Sequence, residues 1–226
     1  MIAVMVLIAI DTATKMLGLA FYDGKTLLSE QMWVAGSQHN LLLAPAVRHT
    51  LTTLDLTPSD LSAVAVVNGP GSYTGLRIGI ALAKGLAAAR RIPLIGVGTL
   101  DVLAVPQPVS TKFRLLCVAQ AGRGRIIAGQ YVTRKGQWVV DTAPIITEWA
   151  QLLPSLTGPT LITGEIDDEG SAQIAAQANE ALVLVTPALR VRRPGILAEE
   201  AWRRWQAHPD HDYSVNSVMP LYLQTP

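Results

Sequence analysis

NGPGSYTGLR, at residues 68–77, joins the apolar run of residues 64–67 to the small-residue segment IGIALAKGLAAA at residues 78–89. This order predicts a strand, a tight turn and a closely packed helix. Glycine reaches positive φ angles and proline restricts the residue before it, so this loop indicates a sharp turn or a close approach of the backbone. Ser72 and Thr74 are candidates for capping the helix that follows.

A glycine-rich loop before a helix also suggests an anion site, because unpaired N–H groups and the helix dipole point at the loop. Neither phosphate-binding pattern is met, however. Gly75 is followed by Leu76 and Arg77 rather than by the lysine of a P-loop, and the glycine spacing differs from that of a dinucleotide fold. We therefore interpret the segment first as a structural turn, with anion binding secondary. Its members are Gly69, Pro70, Gly71, Ser72, Thr74, Gly75 and Arg77.

The predicted helix carries small residues at every fourth position. Gly75, Gly79, Ala83 and Ala87 form a stripe that lets another helix approach, either inside the same domain or in a partner. Charged residues make up only 15% of the chain, hydrophobic residues 50%, and the mean hydropathy is +0.32. Because this leaves little polar surface for a monomer, we favour a protein–protein interface, with a large core as the alternative. The candidate interface residues are Leu42, Ala46, Leu76, Gly79, Ile80, Ala83, Lys84 and Ala87.

The overall composition limits the choice of compartment and of partner. A formal charge of +1 provides no general attraction for nucleic acid, so RNA binding by this chain alone would need a local basic patch. The one cysteine, Cys117, lies in an apolar run, which excludes an internal disulfide and favours a reducing compartment. Residues 1–10 are apolar but too short to span a bilayer, and they lack the basic region and cleavage site of a signal peptide. We predict a cytoplasmic protein without a membrane contact. The basic clusters, each more typical of a solvated face, are Arg90–Arg91, Arg123 with Arg125, Arg190 with Arg192 and Arg193, and Arg203–Arg204.

The order of predicted elements is repeated in the two halves of the chain. In each half three strands come first, and helices alternating with strands follow, which is typical of a mixed sheet covered by helices. The first half contains predicted strands at 4–10, 17–22, 25–33, 63–67 and 94–97 and helices at 39–54 and 74–90, with a further helix start at 57–60. The second half contains predicted strands at 113–119, 126–133, 138–140, 160–163 and 182–185 and helices at 148–156, 171–178 and 196–206. We predict a first lobe at residues 1–105, a second at 106–195, and a carboxyl-terminal helix and tail at 196–226 that pack back on the lobes.

Two such lobes, an α/β fold of mixed sheets flanked by helices, resemble the superfamily of actin, sugar kinases and heat-shock chaperone ATPases, whose ribonuclease-H-like lobes clasp ATP. Four segments carry a closer resemblance: AIDTAT at 9–14, NGPGSYTGLRIGIALAKGLA at 68–87, GVGTLDVLA at 96–104 and MPLYLQ at 219–224. In these segments the chain resembles the bacterial TsaB family, formerly YeaZ. It departs from that family at residues 118–123, which read VAQAGR where an ALDAR run is common.

The resemblance implies a non-catalytic subunit without a cofactor. Such a protein would bind a TsaD-like catalytic subunit in the complex that forms N6-threonylcarbamoyladenosine beside the anticodon of tRNA. A TsaE-like ATPase would join through the complex, and tRNA would bind only in that context. Alone, the chain would form a homodimer, and the helices at 39–54 and 74–90 are the contacts that the resemblance implies for either partner.

The alternative is a small hydrolase or nucleotide-binding enzyme that uses the cleft between the lobes. Its site would be Asp11, at the end of the first strand, together with the Gly69–Gly75 loop, and Asp11→Ala would abolish saturable nucleotide binding. Thr12-Ala13-Thr14 lacks the glycine that lets phosphates approach, so Asp11 and Thr12 are at most relics of a nucleotide site. The four histidines and the cysteine lack the spacing of zinc ligands or of a hydrolase's nucleophile and base. We predict no catalytic residue and no metal site.

Overall fold

Two sheets with the same strand order organise the structure, a computed structural model that describes residues 5–177 and 179–223. Contacts within the chain group it into two units, one formed by Met1–Thr99 with Arg193–Leu221 and the other by Leu100–Arg192 with Tyr222–Pro226. The first unit is therefore assembled from two distant stretches of the chain. The lobe bounds at residues 105 and 195 stay predictions from the sequence.

The first unit is a five-stranded sheet with helices. Its strands run in the order β3-β2-β1-β4-β5, with β1 antiparallel to β2 and parallel to β4. Every side chain of β1 is buried, because a continuous apolar run suits a central strand covered on both faces. The elements are β1 (Val6–Asp11), β2 (Met16–Tyr22), β3 (Leu27–Val34), α1 (His39–Thr53), β4 (Leu61–Gly69), α2 (Tyr73–Arg90), β5 (Leu94–Gly98) and, from the carboxyl-terminal stretch, α6 (Pro194–Ala207).

Helix α6 joins the two stretches of the first unit. It contacts all five strands of the sheet. At its amino-terminal end Arg193 forms an ion pair with Glu30 of β3, and the same carboxylate accepts a hydrogen bond from the Gly195 N–H at 2.9 Å. Trp202 adds an edge-to-face contact with Tyr22, with 5.9 Å between the ring centroids. The carboxyl-terminal helix is therefore part of the first unit's core.

The second unit repeats the strand order of the first. Its sheet runs β11-β10-β6-β7-β8 with β9 beside β7, and β6 is antiparallel to β7 and parallel to β10. Alternate residues of β6 enter two core clusters: Leu116 packs in the cluster of Trp149, and Leu115 in that of Leu100 and Tyr131. The elements are α3 (Thr99–Ala104), β6 (Arg114–Gly122), β7 (Arg125–Arg134), β8 (Gln137–Val140), β9 (Ile145–Thr147), α4 (Trp149–Leu152), β10 (Thr160–Gly164), α5 (Asp168–Ala176) and β11 (Leu182–Leu184).

The predicted fold class is confirmed, since both units are mixed sheets flanked by helices in the ribonuclease-H-like strand order. Two elements of the structure, α3 and β9, were not predicted from the sequence. The predicted helix start at 57–60 is present, with Thr57 as N-cap and a capping box with Asp60, but the helix is a single 3₁₀ turn at Pro58–Asp60 because Leu61 already begins β4.

Other predicted bounds shift by a few residues. The predicted helix at 148–156 is shorter than expected, with α4 followed by a single 3₁₀ turn at Leu153–Ser155 that contains a proline. Predictions for Val4, Ala178 and Gln224 lie outside the described residues.

Candidate protein–protein interface

The glycine loop turns the chain from β4 into α2. Gly69 has a φ of +117°, a value that side-chain-bearing residues rarely adopt, and the Gly69–Pro70 peptide bond is cis. Ser72 is the N-cap of α2: its side-chain oxygen accepts a hydrogen bond from the Gly75 N–H at 3.3 Å. Of the two capping candidates, Ser72 therefore caps the helix, whereas Thr74 lies within its first turn.

The turn between β1 and β2 packs directly on the start of α2. Thr12 Oγ1 donates a hydrogen bond to the Gly75 carbonyl at 2.7 Å, and the Ser72 N–H donates to the Ala13 carbonyl at 2.7 Å. A Cβ atom added at Gly71, Gly75 or Gly79 would lie well within 3.0 Å of backbone or side-chain atoms of this turn, closer than real Cβ atoms approach. The spacing of these glycines therefore serves backbone-to-backbone packing inside the first unit.

This packing corrects the prediction of partner residues. Leu76, Gly79, Ile80, Ala83 and Ala87 are all buried by the chain's own fold. Side chains that already fill the space beneath α2 are not exposed to a partner, so the large-core alternative applies to this stripe. The other three candidates, Leu42, Ala46 and Lys84, are partly exposed.

The outer side of the same helices offers a second set of small and apolar residues. Helices α1 and α2 contact each other, and Leu41 of α1 is 65% exposed. A Cβ atom at Gly85 of α2 would meet nothing within 4 Å. At the start of α2 the Arg77 guanidinium lies 5.0 Å from the centre of the exposed Tyr73 ring and donates a hydrogen bond to its hydroxyl. We call this surface the α1/α2 face; its exposed members are Leu41, Ala44, Pro45, Tyr73, Arg77, Ala81 and Gly85.

The carboxyl-terminal tail extends across the glycine loop. The Leu221 N–H donates to the Asn68 carbonyl at 2.7 Å, and Lys84 Nζ lies 3.9 Å from the sulfur of Met219. Met219 is 63% exposed. The sequence predicted that the tail containing MPLYLQ packs back on the lobes, but it did not indicate the position beside α2.

The candidate nucleotide residues of the first unit are occupied by internal contacts. Asp11 is buried, and its Oδ1 accepts a hydrogen bond from the Ala13 N–H at 2.9 Å. Thr12 is engaged with α2, as described above, and the peptide groups of the turn fill the space against Gly71 and Gly75. Within residues 5–177 and 179–223, no three histidine, cysteine, aspartate or glutamate side chains could together hold a metal ion.

In the second unit, an ion pair covers the corresponding end of the sheet, where β10 ends. Glu165, just after β10, accepts a hydrogen bond from the Gln120 N–H at 2.9 Å and forms a 2.8 Å ion pair with Arg192, whose side chain is 2% exposed. Gly164 has a φ of +107° and lies against the Val118 carbonyl. The segment that departs from the TsaB pattern thus contributes Gln120 to this network. Sequence reasoning gave Arg192 only as one of several scattered arginines, because nothing local marks its partner.

Comparison with known proteins settles the family. A family model described as "TsaD: tRNA N6-adenosine threonylcarbamoyltransferase" matches residues 33–217. The TsaB protein of Bacillus subtilis, described as a tRNA threonylcarbamoyladenosine biosynthesis protein, is 35% identical over 165 residues, which is 71% of each chain. The chain belongs to the TsaB family. The Escherichia coli TsaB protein is 39% identical over 98 residues, covering 43% of this chain and 42% of its own.

Solved structures agree with the fold of this TsaB family member. YeaZ from Pseudomonas aeruginosa superimposes with a TM-score of 0.73 at 20% identity, over 97% of this chain and all of its own. A component of a 2-hydroxyglutaryl-CoA dehydratase from Acidaminococcus fermentans aligns with a TM-score of 0.50 at 10% identity, over 88% and 98% of the two chains. At these identities the likeness concerns the fold alone.

The length and hydropathy of the described helices show whether any of them could span a membrane. In the part of the chain that the structure describes, no helix is both long and apolar enough to cross a bilayer.

Proposed function

We propose that this TsaB family member is a non-catalytic subunit that binds a TsaD-like catalytic subunit in the cytoplasmic complex that forms N6-threonylcarbamoyladenosine in tRNA. Relatives named for the biosynthesis of this modification support the pathway. The observation that carries the proposal is the α1/α2 face, an exposed surface of small and apolar residues on two packed helices.

The outer side of α2 suits the close approach of a partner helix. Ala81 and Gly85 are exposed and lie one helical turn apart, so a helix from a partner can pack near the shorter end of the 8–10 Å range of interaxial distances. Tyr73 and Arg77 stand at one end of this surface and belong to the residue types that dominate binding energy at interfaces. Their mutual contacts hold them in position before binding, which lowers the entropic cost.

The internal packing of the glycine loop supports a binding role rather than catalysis. ATPases of this superfamily carry a glycine in the turn after the first strand so that phosphates can approach, whereas here that turn reads Thr12-Ala13-Thr14 and packs on Gly75 and Gly71. The TsaD-like subunit would then catalyse the modification of the tRNA adenosine. A TsaE-like ATPase and tRNA would engage the assembled complex, and homodimerisation of the free chain would use the same α1/α2 face, in competition with the TsaD-like subunit.

The test is complex formation with the TsaD protein of the same organism, measured by size-exclusion chromatography with light scattering. Ala81→Arg places a long charged side chain on the α1/α2 face. Ala175→Arg, at an exposed alanine of α5 in the second unit, is the matched control. We expect wild type and Ala175→Arg to form the heteromer and Ala81→Arg to bind at least about tenfold more weakly, because its charge would be desolvated. If Ala81→Arg bound as tightly as wild type, the interface would lie elsewhere; if wild type did not bind at ~10 μM, the partnership itself would be refuted.

A further inference from the structure

A cleft of about 450 Å³ lies in the first unit and shares no lining residue with the α1/α2 face. Its walls are β5, the carboxyl-terminal half of α6 and residues 208–218, which follow that helix. Its polar lining contains one acidic residue, Glu200, and otherwise basic or neutral residues: Asn68, Arg203, Arg204, His208, His211, Tyr213 and Ser217. The volume falls in the range of small-molecule sites.

A buried carboxylate positions the two arginines. Glu200 is 5% exposed, and its Oε1 accepts hydrogen bonds from Arg203 Nη2 at 2.8 Å and from Arg204 Nε at 2.6 Å, while Oε2 accepts from Arg203 Nε at 2.9 Å. Burial by itself would raise the pKa of Glu200, but the hydrogen bonds from the arginines outweigh burial and lower that pKa below its usual value. Two guanidinium groups and one carboxylate leave this wall of the cleft with a net positive charge.

Several polar groups of the cleft form no side-chain hydrogen bond within the described residues, although the His211 ring packs edge-on against Tyr213. Among the described residues, no hydrogen bond involves the carboxamide of Asn68 or the imidazoles of His208 and His211. Gly96 leaves room for the amide, since a Cβ atom there would stand 3.1 Å from Asn68 Nδ2. These groups can supply hydrogen bonds to a ligand without first breaking hydrogen bonds inside the protein.

The carboxylates of the segment that follows α6 do not line the cleft. Asp212, beside His211, accepts a hydrogen bond from the Ser214 N–H at 2.9 Å, and this contact lowers the pKa of Asp212. At the end of α6, where exposed carbonyls would repel an anion, the Tyr213 hydroxyl donates to the Arg204 carbonyl at 3.0 Å. Asp210 also belongs to the segment after α6 but does not line the cleft.

We propose that this cleft binds a phosphorylated ligand, with its phosphate held by Arg203 and hydrogen-bonded by Asn68 and the two histidines. A guanidinium fixed in orientation by a carboxylate presents its outer edge to a tetrahedral oxyanion, and arginine is well suited to phosphate because its donors are planar and directed. The phosphate can come from a free mononucleotide or from an RNA backbone. This role is separate from the proposed binding of a TsaD-like subunit.

Isothermal titration of the full chain with three probes tests the proposal and distinguishes the sources. The probes are inorganic phosphate, AMP and an anticodon stem-loop RNA. Binding of AMP identifies a free nucleotide as the ligand, whereas binding of the RNA without AMP identifies the phosphodiester backbone. Arg203→Gln is expected to weaken binding about tenfold or more through loss of a charge-assisted hydrogen bond. Arg134→Gln, at an exposed arginine of β7, should bind as wild type does.

A second variant separates ligand contact from changes in folding. Asn68→Ala removes a ligand-facing amide that has no hydrogen bond in the protein, so its melting temperature should match wild type while its affinity falls severalfold. The proposal is overturned if none of the three probes binds saturably at ~10 mM phosphate or AMP and ~100 μM RNA. It is equally overturned if Arg203→Gln and Asn68→Ala bind with wild-type affinity.

Discussion

The two sheets have the same strand order, but different contacts cover the carboxyl ends of their central strands. In the first unit the end of the sheet is closed by backbone packing of Thr12 and Ala13 on Gly75 and Gly71. In the second, it is closed by the ion pair of Glu165 with Arg192. The order of strands is the same because both halves repeat one pattern of apolar runs. The contacts that cover the two sheet ends differ because the strand order does not determine which residues the connecting loops contain.

Glycine is the shared element of the two closures. Gly69 at the end of β4 and Gly164 at the end of β10 occupy corresponding strands and both have positive φ angles. Each also lies against a carbonyl oxygen, that of Leu221 in the first unit and that of Val118 in the second. The turn out of the strand is therefore common to both units, and the difference arises in what packs over it.

Disrupting the packing of the Thr12–Ala13 turn on α2 should have the largest effect on stability. Gly75→Ala would push a methyl group into the Thr12 carbonyl, and we expect a loss of about 3 kcal/mol or more in the free energy of unfolding. The measurement is the urea midpoint. Gly85→Ala in the same helix meets open space and should instead stabilise the protein by up to ~1 kcal/mol. Equal effects of the two substitutions would show that the glycines act through helix propensity and not through close packing.

Breaking the electrostatic closure should cost less. Glu165→Gln removes the charge that faces the buried Arg192 guanidinium, and we expect a loss of about 2 kcal/mol, below the usual ~3–5 kcal/mol because Glu165 is partly exposed. Chemical denaturation gives the value, with Glu148→Gln, at an exposed glutamate, as the control. A loss no greater than that of the control would mean that this end of the second sheet does not depend on charge.

The smallest expected effect is on the pH dependence of stability, through Glu200 in the first unit. The arginine hydrogen bonds lower the pKa of Glu200 below its unfolded value near 4.5, so its stabilisation is present above that pH and is lost as the pH falls through the folded pKa. Glu200 is buried, but the side chains of Arg203 and Arg204 are 59% and 33% exposed, so solvent screens both pairs; at about 0.5 kcal/mol for each pair, the change in unfolding free energy between pH 7 and pH 4 should be small. Comparing unfolding of wild type and Glu200→Gln at both pH values measures it. If the variant kept the full wild-type pH dependence, Glu200 would not be its source.

The fold was largely predictable from the sequence because it depends on local patterns. Apolar runs such as Val64–Val67 and the spacing of Gly71, Gly75 and Gly79 each signal their structure within a few residues. The missed helix α3 and strand β9 are short, and three to six residues carry too little periodicity to be recognised.

The candidate interface was less predictable, because a stripe does not reveal which way it faces. Helix α2 has small residues on two sides, one including Gly79 and Ala83 and the other Ala81 and Gly85. The four-residue spacing is the same in both, and only the position of Thr12 shows that the first side is buried. Likewise Glu165 and Arg192 are 27 residues apart in sequence, so their pairing leaves no local signature.

The division of the first unit between residues 1–99 and 193–221 has a consequence for synthesis. Strands β1 to β5 leave the ribosome early, but α6, which contacts all five of them, is translated only after residues 100–192, which contain every strand of the second sheet. Since domains emerging from the ribosome fold as units, the second unit can complete its sheet while the first still exposes the surface that α6 will cover. The unit whose synthesis begins first is thus completed last, because the face of its sheet that α6 covers stays open until residues 194–207 have been made.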